Sequence, residues 1–156
     1  MARRKEIVRR KPTPDWKYGN VIVAKFINGL MREGKKSVAE NIFYKAFDLI
    51  EEQTQQEPLP VFEKAMKTVG PVVHVKSRRV GGSTYQVPVE VREDQQRAMA
   101  IRWIINAAKA RPEKTMYERL AGEFTAASKG EGAAVRLKED TYRMAEANRA
   151  FAHYRW

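Results

Sequence analysis

Apolar residues recur at helical spacing along most of this chain, and this periodicity constrains the fold more than any other feature. The stretch from Asn20 to Gly34 predicts a first helix that Gly34 ends. Its predicted inward face consists of Ile22, Val23, Phe26, Ile27, Leu30 and Met31. Helices of this kind bury their apolar faces against one another, so the pattern predicts a mainly α-helical, single-domain bundle.

Start and stop signals divide the next part of the chain into two helices. Ser37 and Glu40 have the spacing of a capping box, which predicts the start of the second helix. Its predicted inward face is Val38, Ile42, Phe43, Ala46, Leu49 and Ile50. Pro58 suits the first turn of a third helix, which Gly70 and Pro71 should end. The face predicted for that helix is Leu59, Phe62, Ala65, Met66 and Val69.

Three further helices are predicted in the second half. The fourth is "EDQQRAMAIRWIINAAKA", the fifth opens on a capping box of Thr115 and Glu118, and the sixth follows Gly132. The inward residues predicted for the fourth and fifth helices are Met99, Ala100, Trp103, Ile104, Ala107, Leu120, Ala121, Phe124 and Ala127. Helical spacing makes Phe26, Phe43, Phe62, Trp103 and Phe124 core residues.

A β-hairpin interrupts the helical pattern at about 72–91, between the third and fourth helices. Alternating Val and Tyr predict two strands, and Gly81-Gly82 suits a two-residue turn with positive φ. Strands of about nine residues extend roughly 30 Å, so the apolar base should rest on the bundle while the tip projects. An ordinary surface hairpin protected by its charges is one interpretation. The cluster of Lys76, Arg78 and Arg79 favours a finger that faces RNA or DNA.

The net charge favours a polyanionic partner. Thirty Lys and Arg against nineteen Asp and Glu give +11 and a pI near 10.0. Residues 1–14 are predicted to be a flexible basic arm, with a solubilising tail as the alternative. Its cations are Arg3, Arg4, Lys5, Arg9, Arg10 and Lys11, against the single acid Glu6.

Two further segments could contact nucleic acid. Lys35 and Lys36 precede the second helix, whose N-terminal amides attract phosphate; a plain solvated loop is the other interpretation. The tail at 149–156 mixes arginines with aromatic side chains that could stack on bases, meet a protein partner or fold back onto the bundle. Its candidate residues are Arg149, Tyr154, Arg155 and Trp156.

The residues that enzymes and metal sites need are missing or scattered. The chain has no cysteine, and its two histidines, His74 and His153, are far apart, which argues against a zinc site or a nucleophile. No glycine-rich phosphate loop follows a strand. We therefore expect a binding protein with no cofactor, metal or small-molecule substrate. Lacking an apolar run of about 20 residues, it is also expected to be intracellular and to have no membrane partner.

Three separated motifs resemble the bacterial form of the small-ribosomal-subunit protein S7 family. They are "NVIVAKFINGLMREGKKSVAENIFYKA", "KSRRVGGSTYQVPVEV" and the ending "RMAEANRAFAHYRW". The resemblance covers nearly the whole chain, in order. It implies six helices with a β-ribbon between the third and fourth, in agreement with the periodicity.

The resemblance also implies a function. Members of this family are structural, non-enzymatic components of the cytoplasmic ribosome and primary binders of small-subunit rRNA. They dock on its 3′ major domain and nucleate assembly of the subunit head. Their hairpin lies near the exit-site tRNA and the mRNA path, and the ninth and eleventh small-subunit proteins are neighbours. Gly34, Lys35 and Lys36 would face RNA, and Lys76 to Gly82 would form the finger.

These arguments give a domain plan and a candidate site. The plan is an arm at 1–14, a helical domain at 15–148 with the inserted hairpin, and a tail at 149–156. The candidate RNA-binding residues are Arg3, Arg4, Lys5, Arg9, Arg10, Lys11, Lys35, Lys36, Lys76, Arg78, Arg79, Gly81, Gly82, Tyr85, Arg149, Tyr154, Arg155 and Trp156. A DNA-binding architectural or regulatory module is the alternative, and preference for duplex DNA would identify it. Binding to an anionic membrane is a third, less favoured interpretation.

Overall fold

The structure, a computed structural model, describes residues 12–154. In this part of the chain six α-helices, two β-strands and one 3₁₀ helix follow one another. The helices are α1 (Val21–Leu30), α2 (Lys36–Thr54), α3 (Pro58–Val69), α4 (Glu93–Ala110), α5 (Met116–Ser128) and α6 (Ala133–Ala147). Strands β1 (Val73–Val80) and β2 (Ser83–Glu90) lie between α3 and α4, and the 3₁₀ helix, η1, spans Arg149–Tyr154. The predicted helical bundle with a hairpin after its third helix is confirmed.

Some of the predicted residues lie outside the described part of the chain. They are Arg3, Arg4, Lys5, Arg9, Arg10 and Lys11 of the arm, and Arg155 and Trp156 at the end. Within 12–154, no helix is both long and apolar enough to cross a lipid bilayer.

The core is built around phenylalanines from four helices. The ring centroid of Phe26 in α1 lies 5.5 Å from that of Phe62 and 5.2 Å from that of Phe124. The ring centroid of Phe43 in α2 lies 4.3 Å from that of Phe47. All five side chains are fully buried. Ring pairs at these separations add to the stability that burial itself provides. Four of the five aromatic residues predicted in the core are confirmed, whereas Trp103 is only partly buried at its edge.

The start of α2 differs from the sequence prediction. The helix begins at Lys36, with Lys35 as the N-cap and no side-chain capping bond. Ser37 is therefore already inside the helix, and the predicted capping box of Ser37 and Glu40 is wrong. The inward face is also rotated, because Val38 is 53% exposed while Phe47, which was not predicted, is fully buried. Burial of the larger aromatic side chain decides which face of α2 turns inward.

Other boundaries follow the sequence signals more closely. The first helix ends at Leu30, before Gly34, because Met31 has a non-helical ψ of 138°. Gly34 instead lies in the connecting loop with a φ of 73°. Pro58 occupies the first turn of α3, and α5 opens on the capping box of Thr115 and Glu118, as predicted.

A buried carboxylate joins the last three α-helices. Glu123 of α5 is fully buried. One of its carboxylate oxygens accepts a hydrogen bond from Nη1 of Arg111, after α4, at 3.1 Å. The other accepts from the backbone N–H of Ala134 in α6 at 3.0 Å. Because both oxygens are paired, the charge is tolerated inside the bundle.

The hairpin lies with one face on the helices. Directly opposed residues of an antiparallel pair share a face, and Tyr85 and Val87 lie opposite Arg78 and Lys76. Since Val87 is fully buried, this is the face that packs inward. The turn glycines adopt φ of 57° and 89° and are exposed, so the base rests on the bundle and the tip reaches solvent, as predicted.

Candidate nucleic-acid interface

The three hairpin cations point to both faces of the ribbon. Lys76 and Arg78 lie on the face that carries Tyr85, whereas Arg79 lies on the opposite face, across from Thr84. Lys76 and Arg79 are exposed and Arg78 is half-buried. Because the charges are on both faces, the ribbon can contact phosphates on either side of its tip.

The end of the described chain folds back onto the hairpin. The ring of Tyr85 lies 5.1 Å from that of Phe151 and 5.3 Å from that of Tyr154, centroid to centroid. Arg149 stays exposed at the start of η1, with Nη1 3.4 Å from a Glu146 carboxylate oxygen. Of the three possibilities that the sequence left open for the tail, residues 149–154 fold back onto the rest of the chain. The predicted site residues Tyr85 and Tyr154 therefore lie side by side.

The N-cap and first residue of α2 present two lysines to solvent. Lys35 Nζ lies 2.8 Å from the Glu33 carboxylate, and Lys36 Nζ lies 3.8 Å from that of Glu40. Both lysine side chains are more than half exposed, at 66% and 58%. Ion pairs this exposed contribute little, so either lysine can exchange its carboxylate for a phosphate at small cost.

A groove between α1 and α4 adds cations that the sequence analysis did not select. Gly29 lets these helices approach closely, since a Cβ there would lie only 2.8 Å from Cγ2 of Ile101. Lys25 of α1 and Arg102 and Lys109 of α4 line this groove. The close packing therefore brings cations from two helices along one surface.

Two hollows share lining residues with this groove, and each contains a residue predicted from the sequence. Arg102 also lines the hollow beside the base of the hairpin, together with Lys76. Lys109 also lines the cleft at the start of α2, together with Lys35. We call the set that lines these three depressions the cationic track, and it comprises Lys25, Arg32, Lys35, Lys76, Arg97, Arg102, Lys109 and Arg119.

The cationic track has a strong excess of positive charge. Among the described residues, its depressions are lined by eight Lys and Arg but only two acids, Glu90 and Asp94. Arg97 forms an ion pair with Glu93, whose carboxylate oxygen lies 3.1 Å from Nη2 of Arg97. Lys35 forms the ion pair with Glu33 described above. A cationic surface of this kind suits the phosphate backbone of a nucleic acid.

Two members of the cationic track could have been found from the sequence. Arg102 and Lys109 are seven residues apart on a predicted helix, which places them on one face. Lys25, across the groove on α1, could not have been assigned to the same surface from the sequence, because the pairing of α1 with α4 depends on tertiary contacts. Within residues 12–154 no group of His, Cys, Asp and Glu is arranged to hold a metal ion.

Comparison with known proteins gives a consistent result. The family model described as "Ribosomal protein S7p/S5e" matches residues 2–149. The chain is 61% identical over 156 residues to "Small ribosomal subunit protein uS7" of Syntrophobacter fumaroxidans, covering 100% of both chains. It is 60% identical to the protein of that name from an Anaeromyxobacter species and 61% identical to that from Syntrophotalea carbinolica, again over the full length of both.

Proposed function

The chain belongs to the ribosomal protein S7p/S5e family, and from this we propose that it docks on the 3′ major domain of small-subunit rRNA as a primary binder. Membership makes it an RNA-binding structural protein of the small ribosomal subunit, acting in translation, and places it in a non-enzymatic class. It therefore associates with small-subunit rRNA and ribosomal proteins. Nucleation of head assembly follows if it binds before its neighbours.

The observation that carries the proposal is the cationic track. Lys76 at the hairpin and Lys35 at the loop before α2 are joined through Arg102 and Lys109 into one surface. A surface that extends over several structural elements can hold more than one RNA segment at once. Phosphate contacts then supply affinity, and selectivity comes from the shape of RNA that fits all of them together.

The residues predicted from the sequence act at the ends of this surface in our proposal. Lys35 and Lys36 bind phosphates at one end, and Lys76, Arg78 and Arg79 do so at the other. Gly81 and Gly82 let the backbone of the tip approach RNA closely. The arm cations and Arg149, Arg155 and Trp156 extend the interface. Tyr85 and Tyr154 serve the site by bracing the hairpin, since their rings contact each other.

The exposed hairpin tip supports a second, finer role. We place the tip near the exit-site tRNA and the mRNA path, where a cationic ribbon would contact passing RNA backbones. The ninth and eleventh small-subunit proteins are the neighbours expected at the ribosome in the cytoplasm. Crosslinking from a reactive group at Ser83→Cys, an exposed position beside the turn, in assembled subunits would test these contacts, and crosslinks only to distant proteins would contradict them.

Competition binding tests the docking proposal. A labelled transcript of the 3′ major domain is bound by the full chain and competed by scrambled RNA of equal length and by duplex DNA. We expect the transcript to remain preferred as salt rises, because shape-dependent contacts persist while generic phosphate contacts weaken. Equal affinity for all three nucleic acids would contradict rRNA-specific docking, and preference for duplex DNA would favour the architectural alternative.

A further inference from the structure

Trp16 is the most exposed large apolar side chain among the described residues. It lies in the turn before α1, and 77% of its surface is accessible. The side chain lines a depression with Asn28 and Lys36, apart from the cationic track. An indole with this exposure offers a large flat surface to a binding partner.

The ring has a rigid support beneath it. Asp15, only 7% exposed, accepts hydrogen bonds from the Tyr44 hydroxyl at 2.6 Å and from the Tyr18 backbone N–H at 3.1 Å. The indole of Trp16 lies 5.7 Å from the Tyr44 ring, with the ring planes at 82°. Trp16 is therefore fixed against an anchored tyrosine while most of its surface stays open.

Two lysines lie beside this aromatic group. Lys17 Nζ lies 5.1 Å from the centroid of the Tyr44 ring. Lys36 lines the same depression as Trp16, together with the acids Asp15 and Glu40. Each lysine has a carboxylate at 3.8 Å, Asp48 and Glu40 respectively, in pairs that are too exposed to hold it firmly. Residues 1–11, which lie outside the described part of the chain, carry six cations and one acid.

We propose that Trp16 is a stacking platform for one unpaired nucleobase of small-subunit rRNA. Aromatic side chains interleaved with lysines match the requirements of single-stranded or looped RNA, because the base stacks while its flanking phosphates meet the cations. The two exposed lysines beside the ring and the membership of an RNA-binding family favour RNA over a protein surface as the occupant. The inference rests on the proposed function and adds a named contact to it.

Binding of the full-length chain to the 3′ major domain transcript tests the proposal. Trp16→Ala should weaken binding by about 5- to 150-fold, the range measured for loss of one stacked base. Trp16→Leu keeps an apolar side chain but has no π-face, so it should weaken binding nearly as much. Trp16→Tyr should stay within about threefold of the natural chain because it keeps a ring. The salt dependence should be the same in all variants, since the indole neutralises no phosphate.

The outcomes separate this inference from the proposed function. The stacking proposal would be overturned if Trp16→Ala and Trp16→Leu both bind the transcript within twofold of the natural chain. Normal binding by Trp16→Leu alone would overturn it as well. If the natural chain does not prefer the transcript, both docking and stacking fail. Because Trp16 packs on Tyr44, helicity and urea midpoints are measured for each variant. If Trp16→Ala proves unstable, the comparison of Leu with Tyr decides.

Discussion

Tyr85 of β2 and Tyr154 of η1 lie with their ring centroids 5.3 Å apart, which fastens the hairpin to the end of the described chain. Phe151 completes the cluster at 5.1 Å from Tyr85. A two-stranded ribbon is marginally stable alone in water, so it needs a surface to rest on. These three rings provide such a surface on the side of Tyr85, which is also the face that carries Lys76 and Arg78.

Loss of this aromatic contact should loosen the hairpin. Phe151→Ala should lower the free energy of local opening of β1 and β2 by about 0.5–1.5 kcal/mol, the value of one aromatic pair. Amide hydrogen exchange should therefore speed up in the strands and stay unchanged in α2 and α5. Phe151→Tyr keeps the ring and is the matched control. Unchanged strand exchange in Phe151→Ala would show that η1 does not brace the ribbon.

The hairpin cations should contribute to the salt dependence of rRNA binding. Replacing Arg78 and Arg79 with Ala should lower the slope of log affinity against log salt by about one to two, because up to two phosphate contacts disappear. A double variant of the exposed Lys64 and Lys129, which lie outside the cationic track, changes the net charge equally. Equal slopes in the two double variants would remove the hairpin from the interface.

The phenol of Tyr44 should make stability sensitive to alkaline pH. Burial, together with its hydrogen bond to Asp15, raises the pKa of Tyr44 well above the ordinary value of 10.0. A raised pKa in the folded state means that the stabilisation is complete below pH 10 and is lost as pH rises above it. Tyr44→Phe should cost about 1.5–3 kcal/mol at pH 7, as expected for a hydrogen bond to a charged group. Urea unfolding of both chains at pH 7, 9 and 11 checks this.

The difference between the two chains should be equal at pH 7 and 9 and smaller at pH 11. Other tyrosines titrate in both chains, so the difference isolates Tyr44. A difference that grows at pH 11 would contradict the direction of the pKa shift.

The two capping signals should differ in their energetic effect. Thr115 is the N-cap of α5, and Thr115→Ala should destabilise the chain by about 1 kcal/mol. Ser37 lies inside α2, so Ser37→Ala should change stability by less than about 0.5 kcal/mol. Thermal unfolding of the two variants measures the contrast. A larger loss for Ser37→Ala would mean that α2 begins two residues later than described.

The helices were predictable because their signals are local. Apolar spacing, Pro58 and the pair of Thr115 and Glu118 each act within one or two turns. The exact face of α2 was not predictable, because Phe47 and Val38 compete for the interior and only packing decides. The position of residues 149–154 also depends on a distant partner, Tyr85.

The charged segments of the candidate site could be predicted from the sequence. The residues that connect these segments into one surface could not. Lys35 and Lys76 are conspicuous in the sequence because each lies in a short cationic stretch. Arg102 and Lys109 join them only because Gly29 lets α1 pack closely on α4. No local pattern encodes that approach, so the cationic track emerges only in three dimensions.

The most direct test of the cationic track is the salt dependence of 3′ major domain binding by a chain with Arg102→Ala and Lys109→Ala. Both side chains are exposed, so helicity should be retained. The account predicts a slope lower than that of the natural chain by about 1.5, and the Lys64 and Lys129 double variant should keep the natural slope. If the two double variants have the same slope, α4 does not contact RNA and the track is not the binding surface.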